Sequence, residues 1–173
     1  MKNKMRLVTR LSLVLALSAG MLGCNSVLDD GDGPNVVLTV EQMTIPIVTA
    51  AINQTTLLCV FTVTDATATL KNQPKSAVAG ESPFNDVVME SVTISYVWDD
   101  PALVTAPRTF PLGGTVSAGG TGTVMFPPIA SGDLTPAFEG HTAGLTMVFS
   151  GRLVDGTPVT AAGGGSLTVN FCQ

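Results

Sequence analysis

Apolar and polar residues alternate along most of the chain after residue 35. A period of two is typical of half-buried β-strands, because successive side chains of a strand point to opposite faces. No 3.6-residue apolar period, which would indicate helices, follows residue 24. The clearest predicted strands carry these one-sided apolar sets: Val36, Leu38 and Val40; Leu57, Cys59, Phe61 and Val63; Val92, Ile94, Tyr96 and Trp98; Leu145, Met147 and Phe149; Leu167, Val169 and Phe171.

Breaks in the alternation predict where these strands end. The apolar phase flips at Thr64-Asp65, which indicates a bulge or a tight turn. Residues 71–86 are predicted to form one long loop, and residues 108–116 a strand broken around Pro111. Asp155-Gly156 is a hairpin-type turn signal. The final strand is placed just after the three glycines at 163–165.

This pattern predicts an all-β fold with about seven to nine short strands between residues 36 and 173. The arrangement it favours is an antiparallel two-sheet sandwich of immunoglobulin-like or fibronectin-like type. A jelly roll or another β-barrel is the alternative. No internal repeat is visible, so residues 36–173 are predicted to form one domain.

The first 24 residues have a different pattern. Residues 1–10 carry four cations and no acid, a short apolar run follows, and small residues lead to Cys24. This order is typical of a secretory signal peptide, here residues 1–23. Residues 24–35 are polar, acidic and contain Gly and Pro, which predicts a flexible tether ahead of the domain.

The segment 1–24 resembles the signal of bacterial lipoproteins, in which a cysteine follows a small residue directly after the apolar run. The resemblance implies that Cys24 receives a diacylglycerol, becomes the first mature residue and has its amine acylated. Asn25, rather than Asp, implies sorting to the outer membrane in that family. The protein would then be held in the cell envelope by membrane lipid through Cys24. The alternative is an ordinary secreted protein with Cys24 left as a thiol.

The charge balance excludes one class of function. Four of the eight Lys and Arg residues lie in the signal, so four remain against 13 acidic residues, a balance near −9. A nucleic-acid-binding protein needs clustered cations to meet phosphates. We therefore expect no nucleic-acid partner.

The cysteines agree with export. If Cys24 carries lipid, Cys59 and Cys172 remain, and an oxidising compartment favours a disulfide between them. One objection is that Cys59 shares the strand face of Leu57 and Phe61, whereas Cys172 would lie on the opposite face from Phe171 in the final strand. The conflict disappears if the last residues leave the strand. Two separate buried thiols are the alternative.

Catalytic and metal-binding patterns are weak. His141 is the only histidine and falls in a predicted loop, no G-x-S-x-G motif occurs, and the adjacent acids Asp99 and Asp100 are expected to be turn residues. A single histidine does not suffice for a Cys/His zinc site or a blue-copper site. We therefore expect no enzyme, no catalytic residue, no metal and no cofactor.

Tyr96 and Trp98 are the only candidates for a ligand-stacking platform. They share a predicted strand face with Val92 and Ile94, which favours core positions. The expected function is a structural or protein-interaction module at the bacterial envelope, with an envelope or surface protein as partner. The alternative is a lipid-anchored protein that binds a glycan or another small ligand, with Tyr96 and Trp98 at its site.

Overall fold

The computed structural model describes residues 34–75 and 82–173, which belong to one compact unit, Pro34–Gln173. The predicted signal, the lipidation site Cys24 and most of the predicted tether lie outside the described residues. In the part that is described, no helix is long and apolar enough to cross a membrane.

The fold is an all-β antiparallel sandwich, as predicted. The described residues form ten strands, more than the predicted seven to nine, because four of the strands have four residues or fewer. In chain order they are β1 (Val36–Thr44), β2 (Thr49–Ile52), β3 (Cys59–Thr62), β4 (Ala66–Pro74), β5 (Val87–Trp98), β6 (Arg108–Pro111), β7 (Thr115–Val116), β8 (Thr121–Phe126), β9 (Thr142–Leu153) and β10 (Pro158–Thr168).

Two sheets face each other. The first has the strand order β1–β4–β8, and the second has the order β10–β9–β5–β6, with β7 also paired to β5. Both sheets send alternate apolar side chains into a common core, where the Phe126 and Phe149 rings meet edge to face at a centroid distance of 5.6 Å. The predicted inward positions Val92, Ile94 and Met147 are fully buried there.

β2 and β3 form a third, two-stranded sheet that continues the hairpin of β1 and β4. Thr44 pairs with Thr67, and five residues further along the first arm Thr49 pairs with Thr62, which is the same register. The two ladders are thus one long hairpin that is interrupted at residues 45–48 and 63–65. Pro46 lies in the interruption, where its missing N–H cannot support a ladder.

Three predicted boundaries were wrong. The long strand expected over Leu57–Val63 is only the four-residue β3, in which Cys59 and Phe61 are half-buried and the two residues that alternate with them are exposed. The long loop expected from residue 71 begins later, because β4 continues to Pro74.

The last strand was also misplaced. β10 starts at Pro158, includes the three glycines and ends at Thr168, before Phe171. The space beside Gly163 and Gly165 is occupied by the side chains of Met43 and Ile45, so these glycines allow β1 to approach β10 rather than forming a turn.

Candidate functional site

The two ends of the sandwich differ in character. Val36, the first residue of β1, lies beside Pro74 at one end, and β1 leads away from it toward the β2–β3 hairpin. β10 follows the same direction, since Gly163 lies against Val40 and Met43 and the later residue Val169 bridges to Val48. We call the end opposite Val36 the distal end; it comprises residues 45–65, 99–107, 127–141 and 169–173.

The β2–β3 hairpin is the most exposed apolar element of the distal end. Leu57 and Leu58 at its tip are 78% and 67% exposed, and Ile52 and Val60 also face solvent. No charged side chain occurs from Gln42 to Thr64. Exposed apolar residues that are this concentrated are typical of an interaction surface.

The tip of the hairpin is held by its own hydrogen bonds. The Asn53 side-chain oxygen accepts from the Thr55 and Thr56 amides at 2.9 and 3.1 Å, and the Asn53 carbonyl accepts from Leu57 N. Leu57 has φ +57°, a left-handed conformation that costs a non-glycine residue roughly 1–2 kcal/mol. An exposed leucine in this conformation is maintained by the surrounding turn, which keeps both leucines outward.

A disulfide fastens the hairpin to the C-terminal segment. Cys59 is bonded to Cys172 with a Cα–Cα distance of 6.0 Å, so the predicted pairing is present. The Cys172 amide donates to Glu139 Oε2 at 3.1 Å, and the Ile52 amide donates to the Gln173 carbonyl at 3.1 Å. Cys59, Cys172 and Glu139 lie close enough for a metal site, but sulfurs within a disulfide are not thiolate ligands.

Phe171 extends the apolar surface beyond the hairpin. Its ring lies against the backbone of Gly140, where φ is +76° and a Cβ atom would overlap the ring. The ring nevertheless remains 66% exposed. The predicted strand position for Phe171 is therefore wrong, because Cys172 leaves the strand direction to reach Cys59, as the parity objection required.

A cavity of about 520 Å³ opens at the distal end between two backbone segments. One wall is residues 61–63 and the other is residues 127–132; the lining residues are Phe61, Thr62, Val63, Pro127, Ile129, Ala130, Ser131 and Gly132. None of them is charged. Ile129 is fully buried at its base, whereas Gly132 is exposed.

The register of the first sheet explains why the cavity exists. β4 pairs with β8 up to Ala66 and Phe126, and continuing that ladder would place Val63 opposite Ile129 and Phe61 opposite Ser131. Pro127 and Pro128 follow directly, and proline lacks the N–H that a continued ladder needs. The two backbones separate here, and the cavity lies between them.

Two side-chain contacts hold the far wall in place. The Tyr96 hydroxyl donates to the Pro128 carbonyl at 3.1 Å. Arg108 forms a two-pronged ion pair with Asp133, with Nε donating to Oδ2 at 2.8 Å. Burial raises the pKa of Tyr96 to about 12, with a further increase from the nearby Asp133 carboxylate and an opposing effect from Arg108. Tyr96 thus stays a neutral hydrogen-bond donor.

Trp98 is a core residue rather than an open platform. It is 7% exposed, its indole Nε1 donates to Thr105 Oγ1 at 3.0 Å, and its ring packs on Phe138 at a centroid distance of 4.7 Å. This agrees with the core interpretation of the sequence. Ligand binding by Tyr96 and Trp98 stays a prediction. In this structure Trp98 is buried and Tyr96 is half-buried, so the two rings do not form an exposed stacking surface.

His141 and Asp99 meet across the distal end. His141 Nδ1 lies 2.8 Å from Asp99 Oδ1, and Asp99 Oδ2 accepts from the Thr142 amide at 3.1 Å. The hydrogen bond from His141 lowers the pKa of Asp99 below its usual value, and the Thr142 amide acts in the same direction. The pair fastens the end of β5 to the start of β9; it was not predicted from the sequence, which placed the two residues in separate turns.

Sequence reasoning also missed the cavity and the projecting hairpin. The uncharged run from Gln42 to Thr64 was the available signal for the hairpin. The cavity had a weaker signal in Pro127-Pro128, which mark the end of β8 but do not indicate where the separated backbones go.

No protein-family model matches the chain, and no curated protein matches it. One solved structure with some similarity is a solution structure of a protein described as late embryogenesis abundant (LEA). The identity is 12%, the alignment covers 98% of this chain and 87% of that chain, and the TM-score is 0.41. A similarity this weak shows neither a shared fold nor a shared function.

Proposed function

We propose that the protein is an exported bacterial lipoprotein whose β-sandwich acts as a structural or protein-interaction module at the cell envelope. The observation that supports this most is the difference between the two ends of the domain. The chain enters at Val36, and the exposed apolar hairpin and the uncharged cavity lie at the opposite, distal end. β1 alone has nine residues and separates the two ends by about 30 Å.

This difference between the two ends suits a domain that is anchored at its N-terminus. A lipid on Cys24 would reach the domain through the predicted tether, which meets it at the end that holds Val36 and Pro74. The distal end would then be the part of the domain farthest from the attachment point. Two or three acyl chains on one cysteine give stable attachment, at about 0.8 kcal/mol for each buried methylene. The anchor and the interaction surface would then operate without competing for the same face.

The chemistry of the distal end favours a protein partner. Its exposed leucines and uncharged hairpin contrast with a chain that has 13 acidic residues. When a partner covers apolar surface that is exposed to water, the free energy of the system falls. The disulfide supports export, since such bonds persist in oxidising compartments such as the periplasm and the cell surface.

A second candidate is a lipid-anchored protein for a neutral glycan or another small ligand. The observation that favours it is the cavity itself, whose lining includes the aromatic residue Phe61 and the hydroxyl-bearing residues Thr62 and Ser131. Such a ligand would bind here rather than on Tyr96 and Trp98.

The anchor is tested with Cys24→Ala in the full chain. The variant should move from the membrane fraction to the soluble exported fraction, because the sulfur that would carry the lipid is gone. Met21→Leu is the matched control, since it changes the same signal and should leave the protein in the membrane. Membrane retention of the Cys24→Ala variant would contradict the proposal.

The interaction role is tested by mild crosslinking on intact cells that express a tagged chain. A stoichiometric protein partner that is retained through stringent washing supports the proposed function. If instead a glycan co-purifies and no protein does, the second candidate is correct.

A further inference from the structure

We infer that the cavity between residues 61–63 and 127–132 is a β-strand addition site, which accepts an extended, uncharged peptide segment of a partner protein. The segment would pair with the free edge of β3 and place an apolar side chain against Phe61, Val63 and Pro127. This inference rests on the proposed interaction role and specifies where and how the partner binds.

The first argument is the position of the cavity in the sheet. The β4–β8 ladder stops at Ala66 and Phe126, and the two backbones then diverge instead of pairing. On its other side, β3 is paired with β2 along all four of its residues. The edge of β3 that faces the cavity is therefore the edge that has lost its strand partner, since no backbone hydrogen bond among the described residues joins 61–63 to 127–132.

The second argument is the absence of the features that normally protect an edge strand. Natural edges carry Lys, Pro or inward charges that prevent pairing with another chain. β3 has the sequence CVFT, with no charge, no proline and no glycine. An edge of this composition is suited to pairing through main-chain hydrogen bonds.

The third argument is preorganisation. The Cys59–Cys172 disulfide fixes the start of β3, and the Tyr96 hydroxyl holds the opposite wall through Pro128. A partner strand would enter a gap whose two walls are already positioned, which reduces the ordering cost of binding.

The chemistry of the lining identifies the class of segment. The half-buried residues Phe61, Val63 and Pro127 favour an apolar side chain, and no charged residue lines the cavity to pair with a charged one. A buried charge without a partner is costly, so charged segments would be rejected. The expected segment alternates apolar residues with uncharged polar ones.

The test uses isotope-labelled, exported full-length protein in detergent micelles, titrated by NMR with end-capped hexapeptides. Three peptides alternate threonine with valine, leucine or phenylalanine; one control alternates threonine with lysine, and a second carries N-methyl groups on its backbone. We expect at least one of the three to bind with a dissociation constant below about 1 mM. Its first effects should fall on the amides of residues 60–63 and 130–132, and both controls should fail.

Gly132→Trp supplies the matching variant. A Cβ atom at Gly132 meets nothing within 4 Å, so the indole can occupy the cavity mouth without displacing backbone. This variant should weaken peptide binding by at least about tenfold. Gly113→Trp is the control, because Gly113 lies between β6 and β7 and also has open space around its Cβ position. The Gly113→Trp variant should bind the peptides as the unaltered protein does.

The outcomes separate this inference from the proposed function. The inference is overturned if no peptide binds, if the N-methylated peptide binds equally well, or if Gly132→Trp has no effect. Should the tagged chain still yield a stoichiometric partner in the crosslinking experiment, the interaction role would stand and only this site would be wrong. If a neutral oligosaccharide, cellohexaose, shifts the same amides while the peptides do not, the cavity is a small-ligand site.

Discussion

Gly151 of β9 lies directly against the backbone of Val88 in β5. A Cβ atom at Gly151 would be 2.6 Å from the Val88 carbonyl oxygen and 2.8 Å from Val87 Cγ1. The close approach coincides with a β-bulge, because the register of β5 against β9 shifts between Met89 and Ser91. The extra residue, Glu90, turns outward and its carboxylate meets Arg152 Nε at 2.9 Å.

Gly151→Ala is therefore expected to destabilise the domain by about 1–3 kcal/mol, since a methyl group would have to displace backbone rather than a flexible side chain. Gly144→Ala is the matched control on the same strand, because its Cβ would lie at an ordinary 3.7 Å from the Val97 carbonyl. Urea denaturation measures both. Equal stabilities for the two variants would show that the close approach at the bulge does not constrain the sequence.

The same bulge shows what the alternation could and could not predict. Tyr96 and Trp98 were assigned to the inward face with Val92 and Ile94, and this phase is correct. Val87 and Met89 are also buried but have the opposite parity, because the bulge at Glu90 shifts the phase. A bulge is set by the partner strand, so a single strand's pattern does not reveal it.

The glycines of β10 show a second limit. Three successive glycines are typical of a turn, yet residues 163–165 pair regularly with Met147, Thr146 and Leu145. Side chains would not fit at Gly163 and Gly165, because the side chains of Met43 and Ile45 pack against the backbone there. The all-β class and the Cys59–Cys172 pair followed from local pattern and cysteine count, whereas the cavity depends on where two distant segments separate.

Removing the disulfide should destabilise the protein and release the hairpin selectively. Cys59→Ser with Cys172→Ser removes a crosslink over a sequence separation of 113 residues, and a loss of about 2–5 kcal/mol is typical of such bonds. Hydrogen exchange should accelerate at the β2 and β3 amides before it does at β5 or β9.

Each single cysteine variant should match the double variant in urea denaturation, since either one removes the same bond. Unchanged exchange rates in the hairpin would mean that the hydrogen bonds around Asn53 and Gln173 hold it without the disulfide.

Thr105→Val should destabilise the domain although it preserves the shape of the side chain. Thr105 Oγ1 is the acceptor for the indole N–H of Trp98, and both residues are buried. An unsatisfied buried donor costs about 1–3 kcal/mol. Thr160→Val, at an exposed position on β10, is the control for the same chemical change and should be nearly neutral.

Trp98 fluorescence gives an independent check, since it is the only tryptophan. Acrylamide should quench the folded protein several-fold less than the urea-unfolded chain. A ring that is quenched equally in both states would return Trp98 to consideration as part of a ligand platform.

The Asp99–His141 pair should make stability depend on acid. Because its bond to His141 holds the pKa of Asp99 below the usual value, the unfolded chain takes up this proton at a higher pH than the folded domain. The stabilising contribution is therefore complete above the ordinary carboxyl pKa, near pH 4, and is lost as pH falls through the lower folded value.

Asp99→Asn should lower the melting temperature at pH 7 and flatten the decline between about pH 4 and pH 2, relative to the unaltered protein. Asp100→Asn is the control, because that neighbouring carboxylate accepts from the Ala102 amide and not from His141. It should retain the acid-dependent decline that Asp99 contributes. If the two variants have the same melting profile from pH 2 to pH 7, the contact across the distal end does not stabilise the fold, and the exposed pair becomes available for another role.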